Sequence, residues 1–332
     1  MLSQVSSRAR RLAAIATSLL SAVAASVTPT IAQTFPSRQI TLVVPFAAGG
    51  VTDIVGRIIA QHLGTDLKQT IVVENRPGAG GNTGAAAVAK AEPDGHTLLL
   101  ASTGNIVINP HLFKQMPFDP LLDLVPVALV ADAPLVFAVP AQFPAKDLKE
   151  YVAALKAKQG GYNYGSAGVG TIPHLGGVMF LAKVGAEMAH VPFRGSAAAM
   201  VEVASGQIQL SLATLASAAP LMDAGKVKVL AVAGRSRLSG LPNVPTTAEA
   251  GFPDLLISNW TAVFGPKGLA PALAEDLNRR LQAVFAAPTN SKLLEVQGVT
   301  PIRMAIAPFA QQIRAEHAQW KAAVAASKVE LQ

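Results

Sequence analysis

The stretch that most limits how this chain can fold is Ile40-Thr-Leu-Val-Val-Pro-Phe-Ala-Ala-Gly-Gly-Val-Thr-Asp53. Ile40 to Val44 is short, apolar and β-branched, as a strand covered on both faces should be. Pro45 lacks an N–H and ends it. Ala47-Ala48-Gly49-Gly50 allows close backbone approach. From Val51 the apolar period becomes helical, with Ile54, Val55, Ile58, Ile59 and Leu63 on one face. Such a corner brings free N–H groups and a positive helix end to one point and can hold an anion. The same corner can also be a tight βα turn that binds nothing, and alone it favours that reading.

The unit recurs. Thr70 to Glu74 reads as a second strand and Thr97 to Ala101 as a third, with a helix through 85–90 that Asn82 can cap. Alternating strands and helices imply right-handed crossovers and a parallel sheet. After a turn-rich connector at 117–127, a second series begins with a strand at 135–139 and a helix at 147–158. It continues with a strand at 162–164, the turn Gly165-Ser-Ala-Gly-Val-Gly-Thr171 and a helix at 173–184. Strands at 188–191, 207–213 and 227–233 alternate with helices at 197–204 and 216–224. A strand-like run at 255–265 and three helices close the chain, the last with Phe309, Ile313, His317 and Trp320 at helical spacing. Two similar α/β domains are therefore expected, 35–133 plus 260–332 and 134–259. The two crossings, near Ala133-Pro134 and 257–260, would form a hinge.

Composition adds an address. Arg8, Arg10 and Arg11 precede an apolar run from Leu12 to Ala25, and Thr30-Ile-Ala32 fits a small-x-small cleavage site. Residues 1–32 are expected to be a signal peptide and the mature protein periplasmic. Setting those three arginines aside leaves 24 basic against 20 acidic residues, a net charge of +4. With no basic run interleaved with aromatics, nucleic acid is not an expected partner. With no cysteine there is no disulfide, and the core must hold the fold.

Familiar catalytic patterns are missing. There is no P-loop, and Gly78 to Gly84 misses the dinucleotide spacing by one place. Ser166 does not sit in a nucleophile elbow. The six histidines form no i, i+4 pair and no acidic cluster accompanies them, so neither a metal nor a cofactor is expected. His174 follows the Gly/Ser turn at a helix start, where it can donate to an anion or simply cap and pack. Turns at 46–50, 102–105, 166–171 and 194–196 would carry N–H groups to one cleft. Arg194 can pair with a carboxylate or lie on the surface.

The motifs together resemble one family. Ile40 to Asp53, Val73-Glu-Asn-Arg-Pro-Gly-Ala-Gly-Gly81, Pro93-Asp-Gly95, Tyr164 to Gly170 with His174-Leu175, His190-Val-Pro-Phe-Arg-Gly-Ser196, Pro242 to Thr246, Glu249-Ala-Gly251, Glu316 and Trp320 match, in order, the Bug family of extracytoplasmic solute receptors. The resemblance covers essentially all of the chain after residue 32. It implies a two-domain α/β periplasmic binding protein of the type II kind, closing like a flytrap on a small carboxylated ligand, and monomeric. It implies contacts from Phe46, Ala47, Ala48, Gly49, Gly50, Thr52, Asp53, Ser102, Thr103 and Asn105 in the first domain. From the second it implies Ser166, Ala167, Gly168, Gly170, Thr171, His174 and Arg194. Where the family often has an aspartate this chain has Ala213-Thr214, so Thr214 joins the list and plain carboxylates are favoured over amino acids. Asp53 is expected to cap its own helix. Gly168→Glu is expected to abolish binding with the fold intact. The implied partners are tripartite tricarboxylate transporter subunits or, alternatively, a membrane sensor kinase. A different class of reading is an exported α/β hydrolase using Ser166 and His174.

Overall fold

The computed structural model describes residues 35–46, 48, 51–193, 195–295 and 298–331. The segment 1–32 assigned to export lies outside them, as do Ala47, Gly49, Gly50 and Arg194. The chain divides after Ser37. Of the first part, Phe35–Ser37 is described and carries a cis Phe35–Pro36 peptide. Both sheets belong to Arg38–Gln332.

The first sheet holds β1 (Ile40–Val44), β2 (Ile71–Asn75), β3 (Thr97–Ser102), β4 (Leu124–Asp132), β10 (Thr261–Pro266) and β11 (Thr300–Pro301), in the order β11-β4-β10-β3-β1-β2. The second holds β5 (Val136–Pro140), β6 (Asn163–Ser166), β7 (Ala189–Pro192), β8 (Leu210–Ala213) and β9 (Val227–Val232), in the order β7-β6-β8-β5-β9. Each sheet has a parallel trio with its first strand in the middle: β1 between β2 and β3, β6 between β7 and β8. Each trio is then flanked by an antiparallel strand, β10 against β3 and β5 against β8. The two sheets thus share one plan, with β1, β2, β3, β10 and β4 answering to β6, β7, β8, β5 and β9.

That plan follows from apolar runs too short for anything but buried strands. Ile40, Leu42, Val43 and Val44 are all buried. Helix α1 (Val51–Leu67) turns Val55, Ile58, Ile59 and Leu63 inward, as the helical period requires. Helix α2 (Asn82–Ala89) begins with Gly81, at φ 94, as its N-cap. The cap expected of Asn82 is therefore not made; its Oδ1 accepts instead from Asn109 Nδ2. A π-helical turn (Gly104–Ile108), starting inside the turn expected at 102–105, runs into the short α3 (Asn109–Leu112). Helices α4 (Leu148–Ala157), α5 (Ile172–Val184), α6 (Ser196–Ser205) and α7 (Leu215–Asp223) cover the second sheet. Helices α8 (Pro271–Ala286), α9 (Pro288–Glu295) and α10 (Ile306–Ser327) close the chain. Asp147 caps α4 through Glu150 N–H.

The connector expected at 117–127 is half wrong, because β4 starts at Leu124. Pro126 argues against a strand interior, but the pairing of β4 with β10 slips register between Val263 and Phe264, beside that proline. The chain passes from the first sheet to the second between β4 and β5, and returns between β9 and β10. The two passages run side by side. Pro134 bridges Ser258, Leu135 N–H donates to Ile257 O, and Asn259 N–H donates to Ala133 O. One apolar cluster continues through them and includes Leu129, Leu135, Phe137, Ile257, Trp260 and Phe309.

Helix α5 lies unusually close to its sheet. A β-carbon on Gly177 would stand 2.3 Å from the Tyr164 ring on β6. Gly177→Ala gains about 1 kcal/mol of helix propensity but forces the ring or the helix aside. A net loss of about 2 kcal/mol is expected in chemical denaturation. Unchanged stability would mean that Tyr164 yields freely.

Candidate functional site

Four strand ends carry the candidate residues. In the first sheet these are β1, leading to Phe46–Asp53, and β3, leading to Ser102–Asn105. In the second they are β6, leading to Ser166–Thr171, and β8, leading to Thr214. These are matching ends by the shared strand order, and β1 and β6 each feed a helix start. Carboxyl ends of parallel strands are where open α/β sheets take ligands.

The first jaw is braced from below. Asn75, opposite Val44 in the ladder, sends Nδ2 to Phe46 O at 3.1 Å and to Asp53 Oδ1 at 3.0 Å. Arg57 Nε meets Asp53 Oδ2 at 2.9 Å. Asp53 is 2% exposed, and these bonds spend its carboxylate on holding the corner. Both of the partners named here are side chains. Phe46 and Thr52 are half-buried and Ala48 is exposed.

Ser102, Thr103 and Asn105 are buried. Asn105 Oδ1 accepts from Ser102 N–H and Oγ, both at 3.2 Å, while its Nδ2 donates to Gly80 O at 2.7 Å. Thr103 Oγ1 donates to Ser258 O and accepts from Trp260 N–H at 2.9 Å, which ties the end of β3 to the return passage. These side chains shape the jaw and fix it to the hinge.

The second jaw is the turn after β6. Gly168 (φ 135) and Gly170 (φ 77) need backbone conformations that side chains resist. Ser166 Oγ accepts Gly168 N–H at 3.1 Å and lies 3.0 Å from Gly168 O. Thr171 Oγ1 donates to Gly168 O at 2.7 Å. Gly170 N–H donates to His174 Nδ1 at 3.0 Å. Two N–H groups expected to face a ligand are thus already committed. Among the described residues, nothing accepts the N–H of Ala167 or Val169. Gly195 N–H donates to Ala167 O at 3.2 Å, fastening the turn to the next loop. A methyl on Gly170 would come within 3.5 Å of Leu112 on α3, so here the second half reaches the first. Thr214 caps α7 through Ser217 N–H.

His174 is buried, and burial lowers its pKa. Its Nδ1 is an acceptor, so the neutral ring carries its proton on Nε2. The serine and histidine of the hydrolase reading are not paired. Ser166 Oγ meets His190 Nε2 at 2.7 Å instead. Sequence reasoning counted Val169 only as part of the 166–171 turn and gave His190 no role of its own. Val169 is 53% exposed at the tip of the turn. His190 was passed over as part of a strand. Among the described residues, no group of three or more acidic or histidine side chains is placed to hold a metal ion. Nor is any described helix long and apolar enough to cross a membrane.

Comparison with known proteins agrees with this architecture. Residues 55–329 match the profile described as the tripartite tricarboxylate transporter family receptor. Protein BugT of Bordetella pertussis is 34% identical over 282 residues, covering 85% of this chain and 86% of that protein. The structure described as R. palustris Rpa4515 with adipate is 31% identical with a TM-score of 0.68, covering 89% of this chain and 99% of that one. MatC (Rpa3494) from Rhodopseudomonas palustris with bound malate is 32% identical with a TM-score of 0.65, covering 87% and 100%. With the profile spanning most of its length and the two-sheet plan of these receptors, the chain belongs to the tripartite tricarboxylate transporter receptor family, the Bug solute receptors, and has their two-domain α/β periplasmic binding protein fold.

Proposed function

We propose that this receptor binds a small carboxylate between its two jaws, at the ends of β1, β3, β6 and β8, and delivers it to a tripartite tricarboxylate-type transporter. The observation that carries the reading is the second jaw. Its turn spends the N–H groups of Gly168 and Gly170 internally and keeps those of Ala167 and Val169. Uncharged donors of this kind suit a carboxylate, because they need no desolvated cation. Relatives with bound adipate and malate support the ligand class. The capping role of Thr214 supports a plain acid over an amino acid, since its hydroxyl is engaged and uncharged.

The closing units are 35–133 with 260–332, and 134–259, joined by the paired passages at 133–135 and 257–260. Ligand binding selects the closed state by bridging both units. The protein acts as a monomer, and residues 1–32 direct export and are removed. Intact-mass measurement of the exported protein checks the last point, because a retained Met1 would contradict it.

Thermal-shift titration tests the ligand class with malate, adipate, citrate and the diamide of adipic acid. The acid that fits should raise Tm with concentration, as RT ln(1 + [L]/Kd) requires. The diamide should not. A shift from the diamide alone would overturn the carboxylate reading.

A further inference from the structure

Behind the second jaw stands an aromatic stack that the binding reading leaves without a task. His174 and His190 are stacked with ring centroids 3.9 Å apart and planes 14° from parallel. Tyr164 also packs against His190, with centroids 4.9 Å apart. The stack touches the turn at both of its glycines. His190 Nε2 meets Ser166 Oγ at 2.7 Å, and that hydroxyl holds Gly168 N–H. His174 Nδ1 holds Gly170 N–H. Resting on the carboxylate-receptor reading, we propose that His190 is a positioning residue of the second jaw: through Ser166 and its stack on His174 it fixes Gly168 and Gly170, leaving the N–H groups of Ala167 and Val169 for the ligand.

The arrangement works with neutral rings. Nδ1 of His174 must keep its lone pair to accept from Gly170, and a proton placed there breaks that bond. Two cations at stacking distance repel, and burial opposes either charge. Accordingly His190 is pushed down to about 4, chiefly by burial and then by His174. His174 is lowered by burial. Among the described residues, the only titratable groups set against His190 are His174 and Tyr164, and burial holds the Tyr164 phenol protonated. A packing role alone would need only a ring. The imidazole adds the nitrogen that meets Ser166, and this separates the two roles.

The sign in acid also separates this from direct ligand contact. The folded pKa lies below the free value, so His190 stays neutral in the folded receptor at neutral pH and the hold is lost only as pH falls through about 4. Positioning therefore predicts weaker binding in acid. A cationic histidine touching the carboxylate predicts tighter binding.

The test compares wild type with His190→Phe, which keeps a ring for the stack, and His190→Gln, which returns a polar atom near Ser166. Amide exchange of Gly168 and Gly170 is followed by NMR in the ligand-free protein, and binding of malate and adipate by calorimetry. Exchange at both glycines should quicken about tenfold in His190→Phe, the effect of one lost hydrogen bond, with partial return in His190→Gln. Affinity should fall by a similar factor. Exchange and affinity unchanged in His190→Phe would overturn the proposal. If the glycines respond but wild type binds neither acid, positioning stands and the carboxylate reading falls. Should His190→Phe fail to fold, the wild-type pH titration decides: the Gly168 and Gly170 amide shifts must follow the imidazole protons, and independence of them is refutation.

Discussion

Trp260→Ala is expected to cost about 5 kcal/mol, enough to unfold a receptor of ordinary stability at 37 °C. Trp260 is 1% exposed where the return passage enters β10, and packs edge-on to Phe309 with centroids 5.7 Å apart. Its loss opens the apolar cluster at the point where that cluster runs from one sheet to the other. Removing the indole also strips a partner from Glu316, whose Oε2 accepts Nε1–H at 2.7 Å and whose Oε1 accepts from Gln312 at 2.6 Å. Equilibrium denaturation measures the loss, and a cost under 2 kcal/mol would show that the passages pack loosely.

Trp260→Phe isolates the hydrogen bond and carries a pH signature. Burial raises the Glu316 pKa, nearby Asp132 adds to the rise, and the Trp260 bond works against it. A carboxyl whose folded pKa is raised keeps its stability at low pH and loses it as pH climbs from the ordinary value near 4.5 through the folded one. Without the indole bond the folded pKa climbs further, so the gap between wild type and Trp260→Phe should widen from pH 4.5 to pH 8. A gap of about 1 to 3 kcal/mol at pH 8 is expected. The same gap at both pH values would mean that Glu316 stays protonated throughout. Asp132 and Glu316 stand beside the paired passages, so the same measurement reports on the hinge.

Much of this was legible in the chain. Short apolar runs ending in glycine turns gave the parallel trios, because a buried strand has few alternatives. What stayed hidden has physical reasons. β4 was lost because Pro126 reads as a breaker until a partner strand slips to receive it. The π-turn at Gly104–Ile108 has no local signature, since Asn105 is held by Gly80 from a distant loop. Free N–H groups were overcounted in the 166–171 turn. Only side-chain placement reveals that Ser166 and His174 already use two of them. The partner of Ser166 was misjudged because strand β7 brings His190 alongside β6, a neighbour that sequence spacing does not show.

That overcount also changes the variant best suited to test the jaw. Gly168→Glu puts any side chain on a backbone at φ 135, so the expectation of an intact fold does not hold there. Val169→Glu avoids the difficulty, because Val169 is 53% exposed and its side chain supports no core. It sets a negative charge beside the two N–H groups left for the ligand. Two like charges about 5 Å apart at an effective dielectric of about 20 repel by about 3 kcal/mol, a loss of roughly 200-fold in affinity. Val169→Gln supplies the same length without the charge and should change affinity by less than about fivefold. Both should melt within about 2 °C of wild type. Calorimetry with the acid selected by thermal shift measures each. Because the effect is Coulombic, raising the salt from 50 mM to 500 mM should recover part of the Val169→Glu loss and none of the Val169→Gln change. Wild-type affinity in Val169→Glu would place the carboxylate elsewhere and remove the second jaw from the site.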